Sequence, residues 1–171
     1  DAKSGVSGAG RQAGERTQYS ETAEGLRSYA KTGRHRHTPE IEQELGLAAG
    51  GEVRVLFSPH LVPMIRGILA TSYLTPKAAD ARAMTEVARA FYAGSPSVHV
   101  LDPGSHPDTL WVRGSNRALL SYGDDDRSGM VVAQAAIDNL VKGAAGQAIQ
   151  CANLRFGLEE GAGLRHPALW P

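Results

Sequence analysis

The apolar residues of this chain come in short runs broken by charge, glycine or proline, and that pattern restricts the possible folds most. LVPMIRGILATSYL (61–74) is interrupted by Arg66, and MVVAQAAIDNLV (130–141) by Gln134, Asp138 and Asn139. Neither approaches the roughly 18 apolar residues of a membrane-spanning helix, so no membrane segment is expected. Glu52–Ser58 (EVRVLFS) sets Val53, Val55 and Phe57 against Glu52, Arg54 and Leu56, which predicts a strand. Ile65–Leu74, bounded by Pro63 and Pro76, predicts a second. Val98–Leu101, Leu110–Arg113, Arg117–Tyr122 and Met130–Ile137 predict four more, the last two as a hairpin around Asp124–Gly129.

Helix signals lie between these runs. Thr38-Pro39-Glu40 predicts a helix start: Thr38 can cap free N–H groups, Pro39 suits the first turn, and Glu40 complements the positive end of the dipole. This helix should end near Gly46, or at Gly50-Gly51 at the latest. Asp80–Ala93 predicts a helix capped by Asp80, with Ala83, Val87, Ala90 and Phe91 on one face. Residues 19–30 permit a short helix weakened by Gly25, and Asp138–Asn153 predicts a last helix capped by Asp138. The order of elements implies an α+β structure with one sheet and helices, those at 39–45 and 80–93, on one of its faces. Leu110, Val112, Leu120 and Val132 are expected on the uncovered face, which should bury itself against a second copy.

A chain of 171 residues favours a single domain. Eighteen basic residues balance eighteen acidic ones, so the electrostatic footprint of a nucleic-acid binder is missing. Cys151 is the single cysteine, which excludes an internal disulfide and a cysteine-rich zinc site and fits a reducing compartment such as the cytoplasm. The first residues have no apolar stretch of signal-peptide length and no initiator Met, so residue 1 is read as a cut within a longer protein.

Five clusters carry possible chemistry. In Arg34-His35-Arg36-His37-Thr38-Pro39-Glu40, His37 precedes a helix N-terminus, where positive potential favours a neutral imidazole suited to acid–base work. Arg34 or Arg36 could bind an anion, and Glu40 could orient His37 or hold substrate. The alternatives are a solvated basic loop, or a metal site of His35, His37 and Glu40 for which no fourth ligand has matching spacing. SGVSGAGR (4–11) permits N–H groups to converge on an anion, or is a mobile arm; it is not a dinucleotide fingerprint, because no strand precedes it and its glycine spacing differs. His60 and Arg66, at neighbouring strand ends, either share a pocket or lie on the surface. Gly143, Ala144, Ala145, Gly146 and Ala148 strip the last helix of bulk, for tight helix packing or for a closely approaching backbone or flat ligand. Cys151, on the same helix, reads as a small core residue rather than a nucleophile.

DAKSGVSGAGR, HRHTPEIEQEL, FSPHLVPMIRGILAT, VRGSN and AAIDNLVKGAAGQAIQ, in this order over residues 1 to 153, closely resemble the C-terminal half of the N-acetyl-gamma-glutamyl-phosphate reductase family, the tail ending at Trp170-Pro171. The resemblance implies a mixed, mainly antiparallel sheet of the kind found in the C-terminal domains of aspartate-semialdehyde and glyceraldehyde-3-phosphate dehydrogenases. It implies NADPH-dependent reduction of an acyl phosphate through a cysteine thioester, with the cysteine and a Rossmann-type cofactor domain lying outside this chain. On that basis His37 is the acid–base group. Ser7, Gly8, Arg11, Arg36, Glu40, His60 and Arg66 are substrate-side residues, and Asn139, Gly143 and Ala144 face the cofactor, Asn139 the nicotinamide; no metal is implied. Ile65 stands where the family commonly has Asn, which removes a polar group there. Residues 1–137 would form a substrate-binding and dimerisation domain, and residues 138–171 a helix and tail packing on the cofactor domain. A homodimer or homotetramer is implied. A lysine-branch paralogue acting on a carrier-bound amino-adipyl phosphate shares these features. Aspartate-semialdehyde dehydrogenase shares only the last helix. A non-catalytic dimerisation and substrate-binding fragment is the third reading.

Overall fold

The computed structural model describes residues 1–12, 14–31 and 33–169; Trp170-Pro171 lies outside them. Seven strands form one sheet: β1 (Ala2–Gly5), β2 (Arg27–Ser28), β3 (Pro59–Val62), β4 (Ile68–Leu74), β5 (Val98–Val100), β6 (Ala118–Asp125) and β7 (Met130–Ile137). Their order is β2-β3-β1-β4-β7-β6-β5. β1 runs parallel to β3, and β5 to β6; the other neighbours are antiparallel. The helices are α1 (Tyr19–Thr22), α2 (Thr38–Ala49), α3 (Ala81–Phe91) and α4 (Gly146–Arg155).

Register fixes which side chains share a face. Leu69, Leu119 and Ala136 are opposite one another on β4, β6 and β7 and form the core with Val112 and Leu101. The other face carries Ala118, Leu120, Tyr122 and Asp124 and receives α3, whose Ala81 N–H donates to the Asp124 carboxylate at 2.9 Å. Asp80 caps this helix as expected, accepting from the Ala83 N–H at 2.7 Å.

The side of α3 that meets the sheet is built from Ala81, Thr85 and Ala88. Ala83, Val87, Ala90 and Phe91 point away, Val87 being 70% and Phe91 78% exposed. Small residues at i, i+4 and i+7 let a helix lie close on a sheet, and that stripe overrode the bulkier apolar one.

Other expectations are corrected. Leu110–Arg113 is not a strand; Thr109–Val112 form a 3-10 helix capped by Asp108, which drives Val112 into the core rather than onto an open sheet face. The second strand begins at Ile68, because Met64–Gly67 turn around the positive φ of Gly67. Glu52–Ser58 keeps its alternation, with Val53, Val55 and Phe57 half-buried and Arg54 and Leu56 exposed, but belongs to no strand; β3 starts at Pro59. Periodicity reports which side chains are shielded, whereas a strand also needs a ladder partner. α2 does not lie on the sheet. It packs on the segment that follows it, where the Val55 N–H donates to Glu42 Oε1 at 3.1 Å. His37, not Thr38, occupies the cap position, and Gly50 at φ +67° ends the helix. The last helix opens with a π turn at Val141–Ala145 before α4.

Candidate functional site

Three chain crossings meet at the end of the sheet where β1 and β7 finish. The turn after β1 is held by Gly5 N–H to Gly67 O at 2.9 Å, Val6 N–H to Met64 O at 2.9 Å and Ser7 N–H to Ile65 O at 3.2 Å. Gly5 is required here, since a Cβ would lie 2.9 Å from the Met64 carbonyl oxygen. The buried Asn139 ties the three crossings: its Nδ2 donates to Ser7 Oγ at 2.8 Å and its Oδ1 accepts from the Gly67 N–H at 2.8 Å.

Beside it, Asp138 is fully buried. One carboxylate oxygen accepts from the Leu140 and Val141 N–H groups at 2.8 and 3.0 Å and so caps the π turn. The other accepts from the Gly114 N–H at 2.7 Å and from Arg66 Nη1 at 3.3 Å. Burial pushes the Asp138 carboxyl pKa up, but the three backbone N–H groups and Arg66 outweigh it, so the net shift is downward.

A second cluster lies at the opposite end of β3. Tyr29 N–H donates to Pro59 O there, and the Tyr29 ring meets His35 edge-on at 5.7 Å. His35 also packs edge-on against Phe57 at 5.1 Å and His37 at 5.0 Å. The His37 backbone N–H donates to His35 Nδ1 at 3.2 Å, so neutral His35 carries its proton on Nε2. Burial, then the neighbouring His37 and Arg36, hold the His35 pKa below the usual imidazole value. His37 itself is exposed at the α2 N-terminus.

A family model described as semialdehyde dehydrogenase, dimerisation domain, matches residues 1–139. The chain belongs to this family. It is 51% identical over its full length to an N-acetyl-gamma-glutamyl-phosphate reductase of Moorella thermoacetica, covering 49% of that protein, and 52% identical to one of Pelobacter propionicus, covering 50%. The match falls on the C-terminal half, and the chain spans about half the length of the curated relatives it matches. In fold it is similar to aspartate semialdehyde dehydrogenase II of Vibrio cholerae, with TM-score 0.67 at 17% identity over 91% of this chain and 54% of that one. The mixed, mainly antiparallel sheet with helices is thus the fold of this semialdehyde dehydrogenase type.

In this family member, Ser7, Gly8, Arg66 and Asn139 come together, while His37 and Arg36 gather with His35 at the other end of β3. The two Asn139 bonds make that residue an internal tie between loops, and Arg66 faces Asp138. Arg36 lies by Tyr29, where it opposes the upward push of burial on the phenol. Glu40 is exposed in the first turn of α2, and the His37 ring meets His35 edge-on. Arg11 is exposed beyond Gly10, whose φ is +92°. His60 belongs to the sheet: its Nδ1 lies 3.5 Å from Asp1 Oδ1, beside Lys3 on the same face. Gly143, Ala144 and Ala145 are exposed. Gly146 is not; a Cβ there would sit 2.4 Å from Asn116 Oδ1, so its smallness serves packing inside the chain. Cys151 is exposed, not a core residue. Among the described residues no three His, Cys, Asp or Glu side chains are placed to share a metal.

Sequence reasoning missed Asn116 and Gln150. Asn116 Nδ2 donates to Gln150 Oε1 at 2.9 Å, Lys142 Nζ donates to the same oxygen at 2.7 Å, and Gln150 Nε2 donates to Glu160 Oε1 at 2.6 Å. This buried network fixes α4 to the sheet. Its one signal was the VRGSN motif, whose Asn116 had no assigned role.

Proposed function

We propose that this chain is the substrate-binding and dimerisation half of an NADPH-dependent reductase that converts N-acetylglutamyl 5-phosphate to N-acetylglutamate 5-semialdehyde and releases phosphate. The match of this whole chain to about half the length of reductases of that name supports the reading. A thiolate from outside this chain attacks the acyl carbon and expels phosphate; hydride then reduces the thioester to the aldehyde and the thiolate is regenerated. NADPH supplies that hydride when bound. The surface beside Asn139 fits such a group, because Gly143, Ala144 and Ala145 are exposed and carry no side chain beyond Cβ.

His37, exposed and next to His35, lends a proton to the oxyanion of the tetrahedral adduct that hydride delivery creates and takes it back as that adduct collapses to aldehyde and thiolate. Arg11 and Arg36 offer exposed guanidinium groups to the phosphate and carboxylate of the substrate. Residues 1–137 supply the substrate side and the dimer contact, and residues 138–171 pack on the cofactor domain. The assembly is a cytoplasmic homodimer or homotetramer.

The test is phosphate-dependent oxidation of N-acetylglutamate semialdehyde with NADP⁺ by the longer gene product. Robust turnover is expected, and His37→Ala should lower kcat by about 10²–10⁴ with a smaller change in KM. No turnover by the unmodified protein refutes the substrate assignment. A kcat within threefold for the variant moves the proton role away from His37.

A further inference from the structure

His35 accepts two hydrogen bonds from the start of α2. Its carbonyl oxygen takes the Thr38 N–H at 3.0 Å, and its Nδ1 takes the His37 N–H at 3.2 Å. A side-chain acceptor two residues before an N–H, with a carbonyl acceptor three residues before the next, is the turn that Asn and Asp commonly make where a chain enters a helix. Here an imidazole takes their place. His37 sits at the cap position without a side-chain cap bond, and Pro39 has no N–H to offer.

The His35 ring is in turn fixed to the sheet. It meets Tyr29 and Phe57 edge-on at 5.7 and 5.1 Å. The Tyr29 N–H donates to Pro59 O at 3.1 Å, and Phe57 lies two residues before β3. His37, by contrast, is exposed. Its N–H is held by His35 and its carbonyl oxygen by the Ile41 N–H at 2.9 Å, so the bond to Nδ1 is what ties its Cα to the sheet side of the site.

We propose that His35 is a positioning residue for His37: its unprotonated Nδ1 holds the His37 N–H and so keeps the acid–base group in place at the head of α2 only while His35 is neutral. This rests on the reading of His37 as the acid–base group. Protonation of Nδ1 sets donor against donor and places an imidazolium beside Arg36 and His37. The charged and titratable groups facing His35 are those two, on its own segment, and the Tyr29 phenol next to β2. Phe57, from the segment after α2, is neutral, and none of the ion pairs among the described residues includes His35. No ion pair there offsets a positive charge, and burial opposes one as well.

Two substitutions in the longer gene product separate the acceptor from the ring. His35→Asn puts Oδ1 where Nδ1 stood, two bonds from Cβ, and gives up the aromatic walls. His35→Phe keeps the walls and gives up the acceptor. His35→Phe should lower kcat by about 10–10²-fold, the scale of a misplaced catalytic group, with a smaller change in KM, and His35→Asn should retain at least about fivefold more kcat than His35→Phe. Hydrogen exchange of the His37 amide reads the bond directly: its protection should fall about five- to tenfold in His35→Phe and hold in His35→Asn. In the unmodified protein that protection should be lost as pH falls through the His35 titration, and in His35→Asn it should not change there. A kcat for His35→Asn equal to or below that of His35→Phe makes His35 a packing residue and overturns the proposal. So does His37 protection that ignores the His35 titration, a measurement that needs no substitution and stands even where a variant fails to fold. An unmodified protein without turnover refutes the reductase reading instead, and the exchange rates then decide alone whether His35 holds His37.

Discussion

Replacing Asp138 by Asn tests the junction of β7, the π turn and Arg66. Asp138 is fully buried and accepts four hydrogen bonds, two on each oxygen. An asparagine can keep its oxygen toward Leu140 and Val141, but its NH₂ then faces the Gly114 N–H and Arg66, a donor against donors. The Gly114 N–H bond to a carboxylate is worth about 1.5–3 kcal/mol, and its loss leaves a buried donor unmade. Arg66 is one-third exposed, so solvent screens its pairing and it adds about 1 kcal/mol or less. The expected destabilisation is about 2–4 kcal/mol, or roughly 4–16 °C in Tm for a domain of this size. Arg66→Met should cost less, about 1 kcal/mol, because the three N–H groups remain. Thermal and urea unfolding measure both. The Asp138 pKa is depressed in the folded state, so its contribution is present above the unfolded value near 3.9 and is lost as pH falls through the folded value. The gap between wild type and Asp138→Asn should therefore hold from neutral pH to about 4 and close below it. A Tm within 2 °C of wild type at pH 7, or a gap indifferent to acid, would refute the reasoning.

Gly146→Ala should destabilise the chain by 1–3 kcal/mol, since its Cβ meets Asn116 Oδ1 and the Val141 carbonyl, whereas Gly143→Leu should leave folding intact and weaken NADPH binding or domain docking in the longer protein; denaturation and cofactor titration separate the two. The His35 ring should titrate below 6.5 by NMR, following its burial and cationic neighbours, and a midpoint above 6.5 would mean that the aromatic nest is open. Light scattering at micromolar concentration should give about twice 18.1 kDa, and a monomer mass without concentration dependence would show that the sheet faces are covered within one chain.

The sequence by itself determined most of the local structure. Asp80 and Asp138 carry short acceptors that cap nearby N–H groups, Gly50 ends α2, and β6 and β7 pair as a hairpin because these outcomes depend on neighbours within a few residues. The five ordered motifs also identified the family. Tertiary structure decided what depends on distant partners. EVRVLFS alternates like a strand but makes no ladder among the described residues, where β3 pairs with β1 only from Pro59 onward. The apolar stripe of α3 faces away because Ala81, Thr85 and Ala88 let the helix approach the sheet. Asn139, Arg66 and Gly146 have their contacts with Ser7, Asp138 and Asn116, up to 132 positions away, and no periodicity encodes such pairs. His35 packs edge-on against Tyr29 and Phe57, residues 28 positions apart that come together where β2 pairs with β3. Side-chain patterns record what a residue avoids, water or bulk; only the folded chain supplies the partner that it meets.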